Sequence, residues 1–177
     1  MHAFPAGPAC FPLRTLSCGL AIAFAAFWTN PAAAEMPRER MAKADRLMLR
    51  AAAQNHVAEI DAGRLVAARG RSPDVRAYAL RNTAAHSRQL DLLQQLAFSR
   101  GVTLPLAADL QQQAALAVWR TLAVERLEDV YRRQGGVSHS GVAARRYRAA
   151  LLSGDVQVRT YAYQAMEAMK PHLAVAE

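Results

Sequence analysis

Beyond residue 34 the chain has no cysteine; Cys10 and Cys18 both precede that point. The later chain therefore has no disulfide, no thiolate zinc site and no cysteine nucleophile. Isoleucine occurs there once, at Ile60, and no stretch alternates apolar with polar residues, which excludes a sheet protein. Aromatic residues are 7% of the chain, so the core is built from Ala, Leu, Val and Met. Lysine is limited to Lys43 and Lys170, and no basic run with interleaved aromatics marks a nucleic-acid surface. The sequence also lacks G-x-S-x-G, a phosphate-binding glycine loop and H-E-x-x-H. An E-x-x-H pair is absent too, which argues against a di-iron carboxylate site. Ser138-His139-Ser140 reads as a polar turn rather than a catalytic triad.

What is present begins with a leader. Arg14 is followed by an apolar run from Leu16 to Trp28, shorter than the ~20 residues a spanning helix needs. Asn30-Pro31 and Ala32-Ala33-Ala34 then supply a breaker and an A-x-A cleavage pattern. Residues 1–34 are expected to be a secretory signal peptide cleaved after Ala34, leaving 35–177 as one domain without a stable transmembrane segment. The expected location is the periplasm, or a secreted or outer-membrane-associated state.

Of the 177 residues, 22 are basic and 14 acidic, giving a formal net charge of +8. Only Arg14 of the basic residues lies in the leader, and the remaining arginines are scattered over every helical segment. They fit solvated helix faces, or an anionic envelope surface as partner; nucleic acid is not the expected partner.

Alanine-rich helical periodicity covers the mature chain. A first helix is expected from about Arg38 to Arg69, with Met48, Ala52, Ala62 and Val66 inward. Gly70 ends it. Ser72 and Pro73 start a second helix, with Val75, Ala79, His86, Leu90, Leu93 and Ala97 inward and Gly101 as its stop. A third helix is expected from about Ala107 to Gln134, with Leu116, Trp119, Ala123, Leu127 and Val130 inward. Gly135, Gly136 and Gly141 predict a kink or break before helix resumes over Val142–Leu152. A fourth runs from Asp155 to about Ala174, with Val158, Ala162, Ala165 and Met169 inward and a bend ahead of Pro171. The expected fold is all-α: an antiparallel four-helix bundle whose third helix is kinked or broken.

Ionisable residues on apolar faces are the candidate site. Glu59 shares a face with Met48 and Val66, His86 lies within the second helix's stripe, and His172 follows Met169 by three. A buried carboxylate needs a proton, a hydrogen-bonded partner or a metal. Glu59, His86 and His172, with His139 as a fourth, make a candidate site for one transition-metal ion: zinc, copper or iron. The alternative is a buried polar cluster in which Glu59 accepts from histidines or from a tyrosine such as Tyr161. His56 and Glu59 form H-x-x-E, the reverse of the di-iron pair. Tyr161 reads as core edge and Tyr163 as surface.

Several motifs together resemble one family. Ala52 through Val57-Ala58-Glu59-Ile60-Asp61-Ala62-Gly63 fits its A-x-x-x-x-x-x-E-[VI]-x-x-G, and Ser72-Pro73-Asp74-Val75-Arg76-Ala77-Tyr78-Ala79 fits its S-P-[ED]-V-[KR]-x-[FY]-A. Ala85-His86 stands where that family has Asp-His, and Gly101-Val102-Thr103-Leu104-Pro105 matches a G-V-T-x-P link. Leu127-Glu128-Asp129-Val130-Tyr131 with His139, and Met166 through His172-Leu173, follow its second half more loosely. The chain resembles the bacterial secreted, ferritin-like bundle family catalogued as domain of unknown function 4142, whose members are often labelled outer-membrane proteins. The resemblance spans about Ala44 to Ala176 and implies a periplasmic four-helix bundle, with Glu59, His86, His139 and His172 on family-like positions. It brings no established reaction. The expected role is therefore non-enzymatic binding or accessory work in the envelope, with metal binding and anionic-surface binding as alternatives.

Overall fold

A computed structural model describes the backbone of residues 41–134 and 140–173, and the side chains of 41–134 and 141–169. These lie within the second of the chain's two units, Pro37–Glu177. The described residues are all-helical, in six helices without a strand: α1 (Lys43–Arg69), α2 (Pro73–Ser99), α3 (Leu110–Thr121), α4 (Val124–Gln134), α5 (Ser140–Ala150) and α6 (Val156–Leu173). No described helix is long and apolar enough to cross a membrane. The expected leader lies outside the described residues.

The two longest helices form an antiparallel pair that organises the rest. The Ser72 hydroxyl accepts from the Val75 amide at 3.4 Å, and Pro73 occupies the first turn of α2, where its missing N–H costs nothing. At the other end Gly101 has φ 64, and the Gly101 and Val102 amides donate to Phe98 and Ala97 carbonyls at 3.1 and 2.8 Å. That pairing is a Schellman cap, and glycine adopts its left-handed residue without strain. Along the seam, a Cβ at Gly63 would lie 2.2 Å from Thr83 Oγ1 and 3.0 Å from the Ala79 carbonyl. Glycine is what lets the two backbones come this close.

The seam has two ends with separate cores. In one, Met48, Leu49, Ala52 and Leu93 pack with Tyr147, Val158, Tyr161 and Ala162 of α5 and α6. In the other, Ala58, Ala62, Val66 and Ala79 pack with Leu116, Trp119, Leu127 and Tyr131 of α3 and α4.

Where one helix was expected from Ala107 to Gln134, there are two, and they run in opposite directions. Gln112 Nε2 donates to Asn55 Oδ1 at 2.7 Å, while Arg69 donates to the Arg120 and Leu122 carbonyls at 2.7 and 2.6 Å. So α3 runs alongside α1 in the same direction. Leu122 is extended (φ −66, ψ 147), and the chain turns back. Glu128 then accepts from the Arg71 and Ser72 amides at 2.6 and 2.8 Å, and Asn82 donates to Tyr131 at 3.2 Å, so α4 descends along α2. Ala123, expected inward, is exposed at this turn, while Leu116, Trp119 and Leu127 are buried. No glycine or proline marks the break; the carbonyls it frees are satisfied by a distant arginine. The glycine-containing stretch expected to break the helix lies mostly at 135–139, outside the described residues.

The α5–α6 turn is fixed to the hairpin by polar bonds. Ser153 donates to Asp45 at 2.7 Å, and Arg100 pairs with Asp155 through two bonds of 2.6 and 3.0 Å. Asp155 also accepts from the Gln157 amide at 2.8 Å, capping α6. The Arg100 hydrogen bonds hold the Asp155 carboxyl below its usual range, outweighing the cost of its burial. α6 continues past Pro171 to Leu173.

Candidate functional site

Both partners of the α1–α2 seam place polar side chains on their facing surfaces. His56 and Glu59, three apart on α1, are 4% and 5% exposed. Tyr78, Asn82 and His86 recur every four residues on α2, so they share one face. The antiparallel register brings His56 opposite His86 and leaves Glu59 near the Tyr78–Asn82 end.

The first group is a line of imidazoles and phenols. His56 Nδ1 lies 2.9 Å from His86 Nδ1, with ring centroids 5.2 Å apart. On its other side His56 Nε2 lies 2.7 Å from the Tyr161 hydroxyl. Tyr161 is hydrogen-bonded in turn to Tyr147, their rings edge-on with centroids 6.1 Å apart. Four side chains from α1, α2, α5 and α6 are thus linked through the core. His86 is half-buried, whereas the other three are buried.

Burial sets the protonation of this line, because a charged ring would lose its hydration. The His56 pKa is lowered by desolvation to about 4. Burial pushes Tyr147 up to about 12, with the Tyr161 hydrogen bond pulling the other way. Tyr161 is raised well above 10, first by burial and then by Tyr147. At neutral pH His56 and both phenols are uncharged. One hydrogen lies between the two Nδ1 atoms, so one ring donates there and the other accepts.

The second group surrounds Glu59. Tyr131 is fully buried, accepts from Asn82, and has its pKa raised by burial, against which the Asn82 bond acts and to which the negative charge of Glu59 adds. Tyr78 is raised by burial first and by Glu59 next, while Arg81 lowers it. Tyr78 and Tyr131 stack obliquely with centroids 5.6 Å apart, and Trp119 meets Tyr131 edge-on at 6.3 Å. The carboxylate is felt by phenols of α2 and α4.

Of the four expected ligands, Glu59 is buried in the seam and His86 meets a histidine there. His139 lies outside the described residues, as does the side chain of His172. Among the described residues, no three His, Cys, Asp or Glu side chains come together as a metal-binding group. Tyr161 is fully in the core rather than at its edge, and its hydroxyl goes to His56. His56 is the residue that sequence reasoning passed over. Its position four after Ala52 and seven after Leu49 puts it on the inward stripe, a signal open to periodicity.

Many arginines serve the chain's own carbonyls. Arg46 donates to Met41, Arg50 to Thr103 at 2.9 Å, and Arg159 to Ser153 at 2.6 Å, besides the Arg69 bonds described above. These close open helix ends and loops.

Residues 30–177 match the family described as domain of unknown function (DUF4142), and the chain belongs to that family. No curated protein and no solved structure matches the chain significantly.

Proposed function

We propose that the chain is an exported protein of the cell envelope, periplasmic or attached to the outer membrane, with a binding or accessory role rather than a catalytic one. Its mature part is read as a ferritin-like four-helix bundle. The rods are α1, α2, α4 taken together with α5, and α6; the link after α2 together with α3 is the long crossover that such bundles carry. Opposite directions of α3 and α4 support this reading, as do the leader pattern and the missing catalytic motifs. The observation that carries the binding role is the His56–His86 pair: ligand-type side chains facing each other across a helix seam, with no recognisable catalytic motif around them. Fractionation of cells expressing the full chain tests the export part. The expected product is periplasmic or membrane-associated and begins at Glu35; a cytoplasmic product retaining Met1 contradicts it.

A second reading is favoured by the same pair. The two imidazoles, joined by a 2.9 Å hydrogen bond, are ligand-type donors that a transition-metal ion would have to engage in place of their shared hydrogen, which would make the protein a metal-binding bundle. The metal content of protein purified from its own periplasm tests this. Stoichiometric zinc, copper or iron supports the reading, and no bound metal under saturating conditions removes it.

A further inference from the structure

We infer that one end of the helical unit docks on an anionic lipid bilayer, with Phe98 and Leu152 entering the headgroup layer and basic side chains between them meeting lipid phosphates. This names the partner of the envelope-attached reading above and rests on it.

Three segments make this end. Ser153 joins the α5–α6 turn to Asp45 near the start of α1, Arg100 joins the end of α2 to Asp155, and Arg50 reaches the Thr103 carbonyl. Large apolar side chains stand in water here: Leu47 is 58% exposed, Phe98 87%, Leu152 88% and Val156 62%. They project from the α5–α6 turn and from near the ends of three helices. The opposite end, made by residues 64–76 and 118–129, exposes Val118 among the described large apolar side chains. A folded chain seldom gathers its most exposed apolar groups at one end without a use for them.

Charge separates the two ends as well. Residues 43–50, 98–104 and 148–159 hold Lys43, Arg46, Arg50, Arg100, Arg148 and Arg159 against Asp45 and Asp155. The Arg100–Asp155 pair cancels, which leaves five cations against one carboxylate. Arg46, Arg50 and Arg159 donate to the carbonyls of Met41, Thr103 and Ser153. A carbonyl is a neutral acceptor, so these bonds hold each guanidinium in place and leave its charge intact. At the opposite end, Arg64, Arg69, Arg71, Arg76, Arg120 and Arg126 are set against Asp74, Glu125, Glu128 and Asp129, with Arg71 and Arg126 in ion pairs.

The apolar groups alternate with the cations along the chain: Leu47 lies between Arg46 and Arg50, Phe98 two residues before Arg100, and Leu152 four after Arg148. That mixture fits a bilayer interface, where affinity comes from buried apolar area plus attraction to anionic headgroups. Each basic residue near such a surface strengthens binding about fivefold.

The test sediments the protein, as recovered from cells expressing the full chain, with vesicles of phosphatidylglycerol and phosphatidylcholine or of phosphatidylcholine alone. Binding is expected to the anionic vesicles alone and to weaken as salt is raised. Phe98→Ser with Leu152→Ser, and separately Lys43→Glu with Arg148→Glu, are each expected to weaken it about tenfold or more. These four side chains are exposed, so unchanged circular dichroism is expected. Arg76→Glu with Arg120→Glu makes the same change in net charge at the opposite end and is expected to weaken binding by less than about threefold. Equal losses from the two charge pairs, or no loss from the serine pair, overturn the inference. So does a dimer that dissociates in the serine pair, which makes a second copy the occupant. A product beginning at Glu35 that ignores anionic vesicles removes this inference and leaves export standing. A product retaining Met1 removes the export reading, and the variants, which share one leader, still decide the docking end.

Discussion

The two ends of the α1–α2 seam bury polar groups in different ways. At one, His56, His86, Tyr161 and Tyr147 form a line in which His56 and both phenols are neutral. At the other, the Glu59 carboxylate raises the pKa of Tyr78 and Tyr131, and Gly63 brings the helices into near contact. A neutral line leaves no ion in the core that needs a partner. A buried carboxylate among phenols cannot lose a partner so cheaply. The comparison sets neutral hydrogen bonding at the histidine end against a buried charge and close helix approach at the glycine end.

Core truncations should have the largest effects, and similar ones at both ends. Leu93 and Leu127 are each 0% exposed, one in each core. Leu93→Ala and Leu127→Ala are expected to cost about 2–5 kcal/mol each in urea unfolding. Because α1 and α2 run through both cores, Trp119 fluorescence and far-ultraviolet dichroism should report a single transition in either variant. Two separated transitions would mean that the ends fold independently.

Acid should distinguish the ends next. The His56 pKa is lowered on folding, so the unfolded chain binds a proton more readily between pH 6.5 and about 4. Stability from this group is complete above 6.5 and is lost as pH falls toward 4, by about 3 kcal/mol in all. In His56→Gln, the slope of stability against pH over this window should be smaller by one proton. An unchanged slope would show that His56 is not the group responsible.

Gly63→Ala probes the other end. It gains about 1 kcal/mol of helix propensity but forces Thr83 and the Ala79 carbonyl aside, for a net loss of about 1–2 kcal/mol. In a Thr83→Ala background most of that loss should vanish; an unrelieved loss would place the clash at Ala79 instead. Surface pairs sit at the bottom of the scale. The Arg71–Glu125 pair is 77% and 71% exposed, so Glu125→Ala should change stability by less than about 0.5 kcal/mol.

Much of the scaffold was readable in the sequence because caps and stripes are local. Ser72, Pro73 and Gly101 bound α2 as expected, and Met48, Ala52, Ala62 and Val66 are buried on α1. The reversal at Leu122 was not readable. It depends on Arg69, 53 residues away in sequence, donating to the exposed carbonyls. The site was half legible: periodicity placed Glu59 and His86 in the seam, but not which groups they face. Pairing across helices is set by antiparallel register, which a single strand of residues does not display. That register joins His86 to His56 and directs Tyr161 to His56 rather than to Glu59.

Imidazole nitrogen NMR of the metal-free protein tests the neutral His56 ring and its hydrogen bond to His86 directly. The account predicts that His56 stays neutral until pH falls to about 4, with scalar coupling across the Nδ1–Nδ1 hydrogen bond to His86. A His56 ring that takes up a proton near pH 6.5 and shows no coupling to His86 would contradict it.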